Sequence, residues 1–126
     1  MNLTRVISGH IAIPASVRSF SSATAHIRLE DVSYADREAV LIAETIIPNL
    51  NHKTSAAGGG DTAIPFTILI PSGTLIIDPR NDYAVRVWVD VDSDGYESPG
   101  DLYSDQSYRV LSSRSGGDLS ITLAPH

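Results

Sequence analysis

The chain has no cysteine. That absence removes a disulfide framework, a thiolate metal site and a catalytic thiol together. It has a single lysine, Lys53, and no cluster of Lys or Arg, while its formal net charge is −6. Nucleic acid and anionic membrane surfaces both demand a basic stripe, so neither is an expected partner. No apolar run approaches the roughly 18 residues of a membrane-spanning helix. The opening "MNLTRVISGH" has neither the basic stretch nor the long apolar run of a signal peptide. The chain is expected either to work without export or to have lost an export segment, in which case its setting is the periplasm or envelope.

What is present fits one domain spanning residues 1–126, with 42% hydrophobic residues to fill a core. The apolar residues recur with period two. Leu3, Ile7, Ile11 and Ile13 share one face, as do Ala25, Ile27 and Leu29. The same holds for Ile64, Phe66, Ile68 and Ile70, for Tyr83, Val85, Val87 and Val89, and for Leu119, Ile121 and Leu123. Such alternation predicts strands with one buried face. Tyr108 and Val110 mark a further short strand. The segment from Ser33 to Ile47 reads either as a helix capped by Ser33 or as a turn at Tyr34–Glu38 followed by a strand. Its β-branched second half and an exit through Pro48 favour the strand. Turn-forming residues separate all these runs, and "AAGGGDT", Ala56 to Thr62, is expected to be mobile. About seven strands with turns between them predict an all-β, antiparallel, immunoglobulin-like β-sandwich.

Several blocks resemble one family. "HIRLEDVSYADREAVLIAETII", from His26 to Ile47, carries "LEDVS-x-AD" and then an Ala43-Glu44 pair. Pro65-Phe66, Tyr83-Ala84-Val85-Arg86 and Tyr108-Arg109-Val110 follow in order. Together these resemble the YbaY/YscW family, the type III secretion system lipoprotein chaperones, from about Val6 to Leu123. The resemblance implies an immunoglobulin-like sandwich, no enzymatic activity, an envelope setting and a protein partner. The secretion branch acts as a pilotin that helps a secretin assemble. Lipoprotein members carry a signal peptide and a lipidated cysteine, which have no counterpart in this chain.

Charge is concentrated in "VDVDSDGYESPGDLYS", Val89 to Ser104. Counted from Asp90, the carboxylates of Asp90, Asp92 and Asp94 fall at positions 1, 3 and 5, Gly95 at 6, Tyr96 at 7 and Asp101 at 12. This is the D-x-D-x-D-G order of a calcium loop. Alternate carboxylates turn inward, the glycine permits the bend, the Tyr96 carbonyl ligates, and Asp101 closes the shell. A strand enters it where an EF-hand has a helix, and Asp at position 12 is short. Such a Ca2+ site would be weak, with a dissociation constant of roughly 10⁻⁵–10⁻³ M. The alternative is a solvated hairpin in which Asp and Gly supply turn geometry.

Other constellations carry less. His10 and His26 lie on polar faces and would be neighbours if their strands paired. His52 and His126 read as loop and tail. The serines form no nucleophile-elbow motif, and Glu30 and Asp31 point to opposite faces of one strand. Asp31 and Ser33 read as helix- or turn-capping residues. Trp88 lies opposite Val85 and Val87, either exposed as a carbohydrate or protein contact or buried against a loop or a second layer. The functional expectation is a non-enzymatic envelope-associated binding or chaperone-like module with a calcium loop. Two alternatives are a purely structural calcium-stabilised domain and a carbohydrate-binding module. No sequence signal fixes an oligomeric state.

Overall fold

The computed structural model describes residues 4–33, 40–54, 62–71, 82–97, 99–105, 108–110 and 119–125. They form eight strands: β1 (Thr4–Ile13), β2 (Phe20–Asp31), β3 (Val40–His52), β4 (Thr62–Pro71), β5 (Tyr83–Asp90), β6 (Leu102–Ser104), β7 (Tyr108–Val110) and β8 (Leu119–Pro125). The period-two residues build the core as the sequence predicts. Ile7, Ile11 and Ile13 of β1, Ala25, Ile27 and Leu29 of β2, and Phe66, Ile68 and Ile70 of β4 are all buried. Val85, Val87 and Val89 of β5 meet Ile121 and Leu123 of β8 in the same cluster. The strand alternative for the second half of Ser33–Ile47 holds, as β3. The turn at Tyr34–Glu38 and the glycine stretch 56–61 lie outside the described residues.

The all-β expectation is met, but the immunoglobulin-like sandwich is replaced by one curled sheet. Strand order is β3-β2-β5-β6-β8-β1-β4, with β7 also on β5. Every pairing is antiparallel except β1 with β8, which is parallel. Two features turn a sandwich into a nearly closed barrel. First, β6 and β8 stitch the β3-β2-β5 half to the β1-β4 half, so the strands form one continuous sheet. Second, the β2–β3 hairpin is long and irregular, with register shifts between Phe20 and Ala23, Ala23 and Ala25, and Leu29 and Glu30. Extra residues in one strand sharpen its twist and bend the ribbon around the core. The end strands β3 and β4 then approach each other, and the Thr45 hydroxyl donates to the Thr67 carbonyl at 2.9 Å.

Pro48 does not end β3, which continues to His52. Proline has no N–H to give a ladder, but an edge strand needs none on its outer side. Pro48 and Asn49 sit at the second register shift, and Asn49 has φ 60°. His52 is correspondingly a buried strand residue rather than a loop residue. Its Nε2 donates to the Val17 carbonyl at 3.0 Å and its Nδ1 accepts from the Thr62 hydroxyl at 2.7 Å. The capping reading of Asp31 and Ser33 also holds. Asp31 Oδ1 accepts the Ser33 N–H at 3.0 Å, and the Ser33 hydroxyl accepts the Asp82 N–H at 2.8 Å.

Candidate interaction face and acidic loop

On β5 the alternation is incomplete, because both faces are covered. Tyr83, Val85, Val87 and Val89 face the core, while Ala84, Trp88 and Asp90 on the outer face are buried too, leaving Arg86 exposed. The cover is a polar and aromatic layer. His26 pairs across from Trp88 in the β2–β5 ladder, and the two rings stack at 4.5 Å with 14° between planes. Arg28 lies 5.7 Å from the Trp88 ring centroid, within range of a cation–π contact. The Trp88 indole N–H donates to Asp101 Oδ2 at 2.9 Å. Of the two readings of Trp88, burial is the one realised.

Arg28 faces Arg86 directly across the ladder, a repulsive arrangement by itself. Each guanidinium has a carboxylate: Arg28 Nε donates to Glu44 at 2.6 Å, and Arg86 Nη1 lies 3.4 Å from Glu30. Arg28, Glu30, Arg86, Trp88, Glu97 and Tyr103 line a shallow cavity of about 90 Å³. A roomier cleft of about 330 Å³ opens between Val17, Arg18 and Phe20 on one side and Val91, Gly100 and Leu102 on the other. Beyond the polar layer the surface turns apolar. On the outer face Leu41 and Ile46 of β3 and Leu69 of β4 are each more than half exposed, while Val40, opposite Asp31, lies on the other face of β3. Among the described residues no backbone ladder joins β3 to β4, so this apolar surface borders the seam between the two edge strands.

His10 and His26 are not neighbours. His10 pairs with Pro65 and Ser120, His26 with Ile46 and Trp88, and their strands are not adjacent in the sheet. The condition for a cross-strand histidine pair, that β1 and β2 be neighbours, is not met.

The acidic loop brings three of its five expected ligands together. Asp90, Asp92 and Asp94 each present a carboxylate oxygen within 4.8 Å of the others. Asp101 does something different. Its Oδ1 accepts the Val91 N–H at 3.1 Å and its Oδ2 accepts the Trp88 indole, so this buried carboxylate pins the start of the loop to the face of β5. The Tyr96 ring is exposed, and its N–H donates to Asp94 Oδ1 at 2.9 Å. Ser93 and Gly95 take positive φ, and the Ser93 hydroxyl donates to the Ser22 carbonyl at 2.6 Å. Gly95 supplies the bend that the spacing required of it.

Tyr103, half-buried on β6, feels this charge. Burial first, then the carboxylates of Glu97, Asp101 and Asp90, hold its phenol above its ordinary pKa of 10.0. Below that value the phenol is neutral in folded and unfolded chains alike. Above it the unfolded chain ionises first, so stability is lost as pH rises from about 10 through the folded-state value. Tyr103→Phe should therefore lose less stability than the parent between pH 9 and 11, read as melting temperature against pH. Parallel curves for the two proteins would refute this coupling.

Sequence reasoning missed β6 and the Trp88–Asp101 bond. The pattern Pro99-Gly100 followed by Leu102 and a polar Ser104 was a turn-then-strand signal, but three residues are too few for periodicity to register.

No family model and no curated protein matches the chain. Among solved structures, an alternative pilotin from the type II secretion system of Vibrio cholerae aligns with a TM-score of 0.71 at 20% identity, covering 96% of each chain. At that identity the likeness is one of fold. The resemblance to YbaY/YscW proteins accordingly narrows to a broader statement: over nearly its whole length, this chain is similar in fold to a pilotin.

Proposed function

We propose that the chain is a non-enzymatic, pilotin-like binding module of the cell envelope, of YbaY/YscW type, which holds an apolar segment of a protein partner along the β3–β4 seam. The observation that carries this reading is the exposed apolar border of the seam on the outer face, formed by Leu41, Ile46 and Leu69. Large aliphatic side chains beside an unpaired strand edge are a liability that proteins ordinarily cover or charge. Left open, they suit a partner that buries them. Glu44 and Arg28 beside Ile46 supply the polar rim expected around such a contact. The fold likeness to a pilotin supports the same reading, as do the blocks at Leu29–Ser33 and Ala43–Glu44. The carbohydrate-binding alternative needed an exposed Trp88, and that ring is buried.

A photo-crosslinking residue at position 46 tests the proposal in the envelope fraction of the native cells. The expected result is one dominant protein adduct, reduced at least about tenfold by Leu41→Asp with Leu69→Asp, equivalent to roughly 1.4 kcal/mol. Both positions are exposed, so the fold should tolerate the charges. No adduct, or an adduct indifferent to the two substitutions, would reject the seam as a docking surface and favour a purely structural domain.

A further inference from the structure

We propose that Asp90, Asp92 and Asp94 form a site for a hard divalent cation, calcium in preference to magnesium, and that Asp101 is the loop's anchor and not a ligand. The three carboxylates present oxygens within 4.8 Å of one another. Close acidic groups on an exposed loop are commonplace, and Asp90 is what sets this cluster apart. It is only 1% exposed, and its Oδ1 is buried without a hydrogen-bond partner. Its other oxygen, Oδ2, accepts the Gly95 N–H at 2.7 Å. A buried carboxylate oxygen with nothing to bond is costly, and two further carboxylates beside it raise the cost by repulsion. A cation held by all three removes both penalties with one ligand.

The donor set is all oxygen, which selects a hard ion over zinc or copper. Three carboxylates on an irregular loop leave positions for water and suit the flexible six-to-eight coordination of Ca2+; Mg2+ demands a tight octahedron and gives up water reluctantly. Asp92 and Asp94 are exposed and so accessible to an arriving ion. Both oxygens of Asp101 already accept hydrogen bonds, from Trp88 and Val91. The loop is therefore a short D-x-D-x-D cage closed by water, in place of a twelve-position calcium loop. Nothing in this assignment draws on the seam, so either proposal can fail without the other.

The test is titration calorimetry on the chelator-treated full chain, with calcium chloride and then magnesium chloride, alongside melting curves. The expected dissociation constant for calcium is in the range of about 10⁻⁵–10⁻³ M. Asp92→Asn and Asp94→Asn should each weaken calcium binding at least about tenfold while melting no lower than the parent in chelator, because they remove repulsion. Asp101→Asn should melt lower in chelator yet still bind calcium within a few-fold of the parent. Absence of heat and of any melting shift at about 10 mM calcium would overturn the site. An Asp101→Asn protein that folds but has lost calcium binding would overturn the ligand set, and an equal response to magnesium would overturn the preference.

Discussion

Trp88→Ala is expected to destabilise the fold by about 3–5 kcal/mol, the usual range for deleting a buried large aromatic side chain. At this chain length that lowers the melting temperature by roughly 10 °C or more. The loss has three parts. The cavity left on the outer face of β5 removes the stacking partner of His26 and the surface beneath Arg28. It also strips the indole N–H from Asp101, a residue buried to 1% exposure, leaving Oδ2 of a buried carboxylate without its donor. Trp88→Phe separates these parts, because a phenyl ring keeps most of the stacking area and loses the N–H. It should cost about 1–3 kcal/mol and act chiefly through the loop that Asp101 anchors. Denaturant unfolding of the two variants checks this. A Trp88→Ala protein within about 1 kcal/mol of the parent would show that the outer layer is decoration and not structure.

Gly9→Ala is the second large effect, and it acts through a single methyl group. A Cβ at position 9 would lie 2.4 Å from the Leu119 carbonyl oxygen, 2.8 Å from its Cβ and 2.9 Å from its nitrogen. Two of these atoms are backbone, so no side-chain rotation relieves the contact. Gly9 pairs with Leu119 where β1 and β8 run parallel, the pairing that joins the two halves of the barrel. The added methyl must push β8 away or break that ladder, at an expected cost of about 3 kcal/mol or more. Ser120→Ala, an exposed position on the same strand, should change stability by no more than about 0.5 kcal/mol. Hydrogen exchange gives the sharper readout. In Gly9→Ala the amides of Ile121 and Leu123 should lose protection before those of Ile27 and Val87. Uniform loss across all four would mean that the β1–β8 pairing is no weaker than the rest.

Strand identity was legible in the sequence because it depends on a local property. Ile7, Ile11 and Ile13, or Phe66, Ile68 and Ile70, announce a buried face by alternation alone, and the structure buries them as they predict. The bend at Gly95 and the nearness of Asp90, Asp92 and Asp94 were legible for the same reason: all lie within one short loop. What failed depended on which strands meet. His10 and His26 each occupy a polar face as expected, but strand order puts β1 and β2 apart. The hydrogen bonds of Asp101 were likewise not legible, because one of its partners is Trp88, thirteen positions away on β5.

The sequence by itself thus determined a β-rich domain, its inward faces, the crowding of carboxylates in one loop and the lack of cysteine chemistry. Alternation, turn residues and composition act over a few residues, and their consequences survive any arrangement of strands. Only the tertiary structure decided that the sheet curls into a near-barrel, that both faces of β5 are covered, that Asp101 is an anchor, and that β3 and β4 leave an apolar seam. Each of these depends on contacts between strands far apart in the chain. Period-two patterning states which way a side chain points, not which strand it will face.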